Sequence, residues 1–495
     1  MLALIVPGLV QAQSDVDAFR YSLLNPVGTA RYAAVGGAFG ALGGDFTTLS
    51  TNPAGIGVYR SGEFVFTPSV FGANNKSAFF GETNTDSRTN FNIGNLGLVF
   101  TKLYKDDKNV PRTSGWISTS FGLGYNRLAN FHNQIHLSGY NTQNSLLDYY
   151  VQQANGTSPS NIYNRFPYGA GLAYDAYLID PDPNDTLRYI PKVINGNVQQ
   201  SKTITSKGAY DEFVLSFGGN YNNKVYLGAT VGIPSIRYEE ESNYTEEDIN
   251  DSFPNFTSFD QFDYLDVSGR GVNLKIGAIY KVTEAVRLGA AIHTPTYLSL
   301  KEEYTTEIAP VVTEQPGVIV PALVKPDGLG AYNYRIVTPW RFIGSAAVVL
   351  KNFGFLSVDY EYLDYSQASF KMNVVDKQFE SGLNKTIESK YTSTSILRVG
   401  AEYMYEIFRF RGGVGYMTSP FEGNVPVGDA DQSRMTYSLG AGIRDEGYFV
   451  DLAYTRSMSK EMHVPYTLND PNETVGGAVI DKTTGNVLLT VGFRF

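Results

Sequence analysis

The links between the extended segments of this chain alternate in length, and few architectures produce such an alternation. From residue 63 onward, fourteen stretches read as strands, near residues 63–71, 91–103, 115–130, 210–221, 224–237, 270–281, 285–299, 335–351, 354–370, 392–404, 407–417, 434–444, 447–458 and 486–495. Links after the even-numbered strands are mostly tight, as in "NN" at 222–223, "VTE" at 282–284 and "DEG" at 445–447. Links after the odd-numbered strands run from about sixteen to nearly eighty residues. A soluble sandwich has no cause to sort its loops by parity. An up-and-down barrel in a membrane does, because turns collect at one rim, long loops at the other, and an even strand count returns the chain to its starting side.

The faces of these strands agree. In "ISTSFGLGY", Ile117, Phe121, Leu123 and Tyr125 alternate with Ser118, Ser120, Gly122 and Gly124. "KVYLGATVGI", "VNLKIGAIY" and "RMTYSLGAGIR" repeat the scheme, one face apolar and ending in tyrosine, the other glycine, serine, threonine and an occasional charge. A soluble sheet turns its apolar face inward and its charge outward, so a face this poor in charge opposite a continuous apolar one suits a lumen and a lipid surface. The 35 Tyr, 30 Phe and 50 Gly supply the belts and turns such a barrel needs. No stretch approaches the ~20 apolar residues of a membrane-spanning helix, so strands must do the crossing. With no cysteine in the chain, the sheet hydrogen bonds rather than disulfides must hold it. The net charge of −10 speaks against a nucleic-acid partner, whose phosphates call for a basic patch. Residues 1–12, "MLALIVPGLVQA", read as the remnant of a signal peptide. The final strand "NVLLTVGFRF" ends in Phe495 and resembles the signal read by the outer-membrane assembly machinery.

The fold class expected is all-β, a 14-stranded antiparallel transmembrane β-barrel over 63–495, with long extracellular loops at 131–209, 238–269 and 300–334. Residues 13–62 precede it as a glycine-dense segment containing Asn52, Pro53 and Ala54. A barrel of this size with such a segment, together with "VGTARYAAVGGAFGALGGDFTTLSTNPAGIG", "ISTSFGLGYN" and "TPWRFIGSAAVVLKNFGFLSVDYEYLDYS", resembles the FadL family, outer-membrane transporters of long-chain fatty acids and other hydrophobic compounds. The resemblance implies that 13–62 form a hatch plugging the lumen, and that the Asn-Pro-Ala turn sits against a kink in the third strand beside a lateral opening. Pro53 fixes its own φ and lacks an N–H, and Asn52 can bond its own backbone, so the turn is stiff. Gly122 and Gly124, beside the gate residue Phe121, are where the third strand is expected to bend.

Hydrophobic small molecules, fatty acids or similar, are the expected cargo. The expected capture surface is aromatic: Phe253, Phe256, Phe259, Phe262 and Tyr264 in one loop, Leu146, Leu147, Tyr149 and Tyr150 in another. The competing reading buries these rings in a small extracellular core. Lys275, Arg287, Arg341 and Arg398 face the lumen, where they either hold a carboxylate headgroup or pair with acids and hatch. His132 and His136 lack a third ligand, so no metal or cofactor is expected, and no catalytic Ser, His and Asp set emerges. The expectation is therefore a non-enzymatic monomer in a Gram-negative outer membrane, surrounded by outer-membrane lipid and lipopolysaccharide, with periplasmic termini. The alternative is a FadL-like barrel serving as a protein-secretion shuttle or surface-protein partner.

Overall fold

The computed structural model describes residues 14–25, 27–314, 316–423, 432–468 and 475–495; the signal-peptide reading of 1–12 lies outside them. Among the described residues the main sheet closes on itself as fourteen antiparallel strands. The first, Glu63–Phe79, pairs with both the second, Glu82–Leu103, and the last, the latter in register from Glu63↔Arg494 to Ala78↔Val479. The last strand itself spans Ala478–Arg494. Closure pairs each strand on both sides over most of its length, which is what strands in lipid require.

The two faces separate cleanly. Outward residues such as Phe217 (61% exposed) and Leu439 (67%) form an apolar surface, while their inward neighbours Ser216 and Ser438 are buried. Tyr280, Tyr437 and Tyr454 stand exposed on the outer face near the ends of the apolar band, where an aromatic ring meets lipid on one side and water on the other. Tyr125 also faces outward, but its hydroxyl donates to Asp211 at 2.6 Å.

The strands run longer at the loop end than the sequence pattern predicts. The expected first loop is strand on both sides of a Phe80-Gly81 turn. The expected loop 238–269 is mostly sheet, since the fifth strand spans Val225–Glu247 and the sixth Phe256–Lys281. The seventh strand (Val286–His293 and Tyr297–Val312) likewise runs well into 300–334. The reason is physical: beyond the lipid both faces meet water, so "ANNKS" or "YEEES" carries no apolar alternation to read. The segment 131–209 holds a strand continuation, Asn133–Asn141, three helices (Leu146–Ala154, Ile162–Arg165, Ala170–Asp175) and a small hairpin before the fourth strand, Val198–Tyr221.

Residues 14–62 fill the lumen. A short helix, Asp15–Arg20, lies towards the loop end, where Asp15 accepts from Lys390 at 2.6 Å. Helix Ala30–Ala34 and two 3-10 turns, Phe46–Ser50 and Pro53–Val58, lie lower, and Gly62 exchanges backbone bonds with Phe495 at the turn end.

Candidate functional site

The stiff Asn52-Pro53-Ala54 turn is built as its residue types dictate. Asn52 Oδ1 accepts from Ala54 N at 3.1 Å and caps the 3-10 turn that Pro53 begins. Its Nδ2 donates to Gly40 O at 2.6 Å and to Ala278 O at 3.3 Å. The turn docks on the fifth and sixth strands: a Cβ on Gly228 would sit 2.2 Å from Pro53 O, and one on Gly277 1.9 Å from Asn52 Oδ1. The contact with the third strand is made farther along the same turn, where Ile56 lies 3.0 Å from a Cβ on Gly122, while Asn52 and Pro53 themselves rest on the lumen-facing glycines of the fifth and sixth strands. Those two glycines are in the sequence as inward positions, but a single sequence does not say which strand a lumen segment touches.

At Gly122 and Gly124 the wall is continuous. Gly122 pairs with Val99 and Ser216, and Gly124 with Gly97 and Val214; Phe121, just before them, points outward. Their bare inner faces instead admit hatch side chains, since a Cβ on Gly122 would meet Leu49 at 2.7 Å and one on Gly124 would meet Phe46 at 2.6 Å.

The wall is interrupted a few residues further on. The second strand (Glu82–Leu103) pairs with the third (Trp116–Asn130) only from Leu103↔Ser118 to Asn95↔Asn126; its residues 82–93 pair with the first strand alone. Two irregularities flank the break, a register shift at Thr67/Pro68 opposite Gly94 and another at Arg127/Ala129. In place of the missing ladder, the hatch supplies backbone donors: Asn25 N to Leu128 O at 2.8 Å and Val27 N to Arg127 O at 3.0 Å. Farther along, only side chains bridge the seam, with Asn130 donating to Asn90 at 3.0 Å and His136 N to Asp86 at 2.8 Å. His132 and His136, paired at helical spacing in the sequence, lie on either side of the start of the strand continuation, and His136 Nδ1 bonds Thr203 at 2.9 Å. On the outer face of the second strand, Phe91 (71% exposed), Ile93 and Leu96 line the same stretch, so the seam opens against apolar surface.

The cavity between hatch and wall, lined by Tyr32, Asn52, Lys275, His293, Arg341 and Glu361 among others, holds about 30 Å³, room for one or two waters rather than a hydrophobic ligand. The lumen cations are engaged. Arg341 and Arg398 clamp Glu361 at 2.6 and 2.8 Å, Arg341 also donates to Ser22 O, and Lys275 pairs with Glu212. Arg287 donates to Leu42 O of the hatch at 3.0 Å. With acids and hatch carbonyls as partners, these groups fix the plug; nothing in the geometry leaves a guanidinium presented for a carboxylate headgroup.

The aromatic loop residues divide in two. Leu146, Leu147, Tyr150, Phe256 and Phe259 are buried in one core at the loop end, with Tyr149 and Phe253 packed on its edge. Phe256 and Phe259 stack edge-on at 6.3 Å, and burial pushes the Tyr150 hydroxyl well above its ordinary range. Phe262 and Tyr264 are on the opposite, outward face of the sixth strand. The expected capture surface is therefore mostly the interior of a cap. The signal for it is present in "SLLD": Ser145 and Asp148 form a capping box that starts the helix Leu146–Ala154.

A sequence profile of the family described as outer membrane protein transport protein (OMPP1/FadL/TodX) matches residues 200–495. Among solved structures, the chain is similar to a Pseudomonas aeruginosa FadL homologue (13% identity, TM-score 0.55, covering 96% of this chain and 100% of that one). It is likewise similar to the Pseudomonas putida toluene transporter TodX (13% identity, TM-score 0.54, 94% and 98% covered). At these identities the likeness is one of fold. No curated protein sequence matches the chain.

Proposed function

We propose, from the premise that this chain belongs to the OMPP1/FadL/TodX family of outer membrane transport proteins, that it passes hydrophobic small molecules sideways, out of the lumen through the seam between the second and third strands. The family carries hydrophobic compounds across the outer membrane; fatty acids and monoaromatic hydrocarbons, the latter the cargo of the TodX transporter, are the substrate classes this reading takes. The loop end then faces the exterior, and Phe495, at the turn end, the periplasm.

The interrupted ladder at Gly94 and Arg127–Leu128 carries the proposal. A hydrophobic molecule gains nothing by entering an aqueous periplasm, since each buried CH₂ is worth about 0.8 kcal/mol. An exit against Phe91, Ile93 and Leu96 keeps its surface out of water. The hatch segment at Asn25 and Val27 closes that exit with two backbone bonds, few enough to break and re-form in a transport cycle.

A second reading, a surface-protein partner, draws on apolar side chains at the loop end: Ile319, Val374 and Val375 are 85–93% exposed. Uptake by a host lacking its own hydrophobic-compound transporters separates the two. The transport reading expects labelled oleate or toluene to accumulate above the empty host while a sugar of similar mass does not. No gain for either hydrophobic compound overturns it and favours the partner reading.

A further inference from the structure

The outer face of the barrel carries a groove that has no role in the lumen. It holds about 460 Å³ and lies across the first, second, thirteenth (Tyr448–His463) and fourteenth strands. Its centre is a row of directly paired outward residues, Tyr437↔Arg456, Arg456↔Gly485, Gly485↔Gly72 and Gly72↔Thr89. The row towards the turn end is apolar, with Tyr454↔Val487, Val487↔Val70 and Val70↔Phe91. The row on the other side is polar, with Thr483↔Asn74.

The two glycines are unexplained by the barrel itself. Neither takes a positive φ, and a Cβ on Gly72 would meet nothing nearer than Thr89 Oγ1 at 3.9 Å, one on Gly485 nothing nearer than 3.5 Å. This contrasts with Gly228 and Gly277, where the hatch occupies the space. Glycine inside a strand weakens it, and where packing does not require it, it marks a place where something else approaches. Beside the gap, the exposed Arg456 guanidinium forms no ion pair or hydrogen bond among the described residues. Two rows farther out, Lys460 and Lys76 flank Asp481, so the lip of the groove is net cationic.

We propose that the groove binds the phosphorylated headgroup of an anionic lipid of the outer leaflet. Arg456 takes the phosphate, the hydroxyls of Thr89 and Thr483 and the Asn74 amide surround the polar part, and an acyl chain lies over Val487 and Val70. The order of the rows carries the assignment: a cation and hydroxyls sit at the level of Tyr437 and Tyr454, with apolar surface on the membrane side only. A free anion would have no use for the apolar floor. A second barrel would bury an unpaired arginine against its own lipid face, at a cost of several kcal/mol.

Native mass spectrometry of the full-length protein in mild detergent tests this, with diphosphoryl lipid A as probe and phosphatidylcholine as the zwitterionic control. The expected result is one retained lipid A per barrel, weakened about tenfold by Arg456→Gln and by Gly485→Leu, with Arg456→Lys between. Lys108→Gln, in a turn at the opposite end, leaves retention unchanged. Equal retention by wild type and Arg456→Gln, equal retention of phosphatidylcholine, or a dimer that excludes lipid would each overturn the proposal. Heat-modifiable gel migration identifies any variant that fails to fold; Arg456→Gln, on an exposed face, decides the matter if Gly485→Leu does not.

Discussion

Asn52 shows how one side chain can anchor a plug without holding up the wall around it. It satisfies its own turn, the hatch carbonyl of Gly40 and the sixth-strand carbonyl of Ala278, while the barrel closes through strand ladders that do not pass through it. Replacing Asn52 and Pro53 together by Ala removes these bonds, each worth about 1 kcal/mol, and the backbone restriction of Pro, worth up to ~1 kcal/mol more. Gly277→Val attacks the same contact from the wall, because its Cβ lies 1.9 Å from Asn52 Oδ1. Both variants are expected to give normal amounts of heat-modifiable barrel with a hatch cleaved sooner by added protease. Unchanged cleavage in both would show that the turn anchors nothing. The stiffness of Asn52-Pro53 is legible in the sequence, since it is a property of two residue types. Its partners are not, because the turn meets strands more than 170 residues away in the chain.

At the scale of the element, legibility follows the solvent. Where a strand has lipid on one side and a polar lumen on the other, alternation is strong and the strands around 117–125 and 225–233 stand where the pattern puts them. Beyond the lipid the contrast vanishes and 72–90 or 238–269 look like loops, although hydrogen bonding continues. The same loss of contrast hides the difference between Phe259, inside the cap, and Phe262, outside it. The residues Phe256, Phe259 and Phe262 alternate imperfectly, and only the sheet shows which way each points. Phe256→Ser and Phe259→Ser are each expected to cost the cap about 3 kcal/mol. Phe262→Ser is expected to cost under ~0.5 kcal/mol. Hydrogen exchange over 146–175 reads the difference: faster exchange in the first two and no change in the third. Equal effects would place all three rings on the surface.

For the whole molecule, the account rests on two properties that only the assembled barrel has. The lumen is filled along its axis, by a hatch tied to the wall through Glu361, Glu212 and the inward glycines. Among the described residues, the ladder between the second and third strands lapses along one stretch, where Asn25 and Val27 of that same hatch stand in for a strand. Closure and strand number follow from loop parity, and the plug from the resemblance of the glycine-dense start to the FadL family. The position of the seam does not, because it depends on where the register between the second and third strands lapses, and Pro68 and Gly94, which mark the lapse, are read as such only once the ladder is known. The chain has no cysteine, so one engineered pair can close the seam on demand. A Cβ on Gly94 lies 3.0 Å from Val27 Cγ1, within reach of a disulfide. In the Val27→Cys, Gly94→Cys variant, uptake of labelled hydrophobic substrate is expected to fall to the level of the empty host when oxidised and to recover with reductant, the barrel remaining folded throughout. Uptake at the reduced rate with the disulfide fully formed would contradict a lateral exit at this seam.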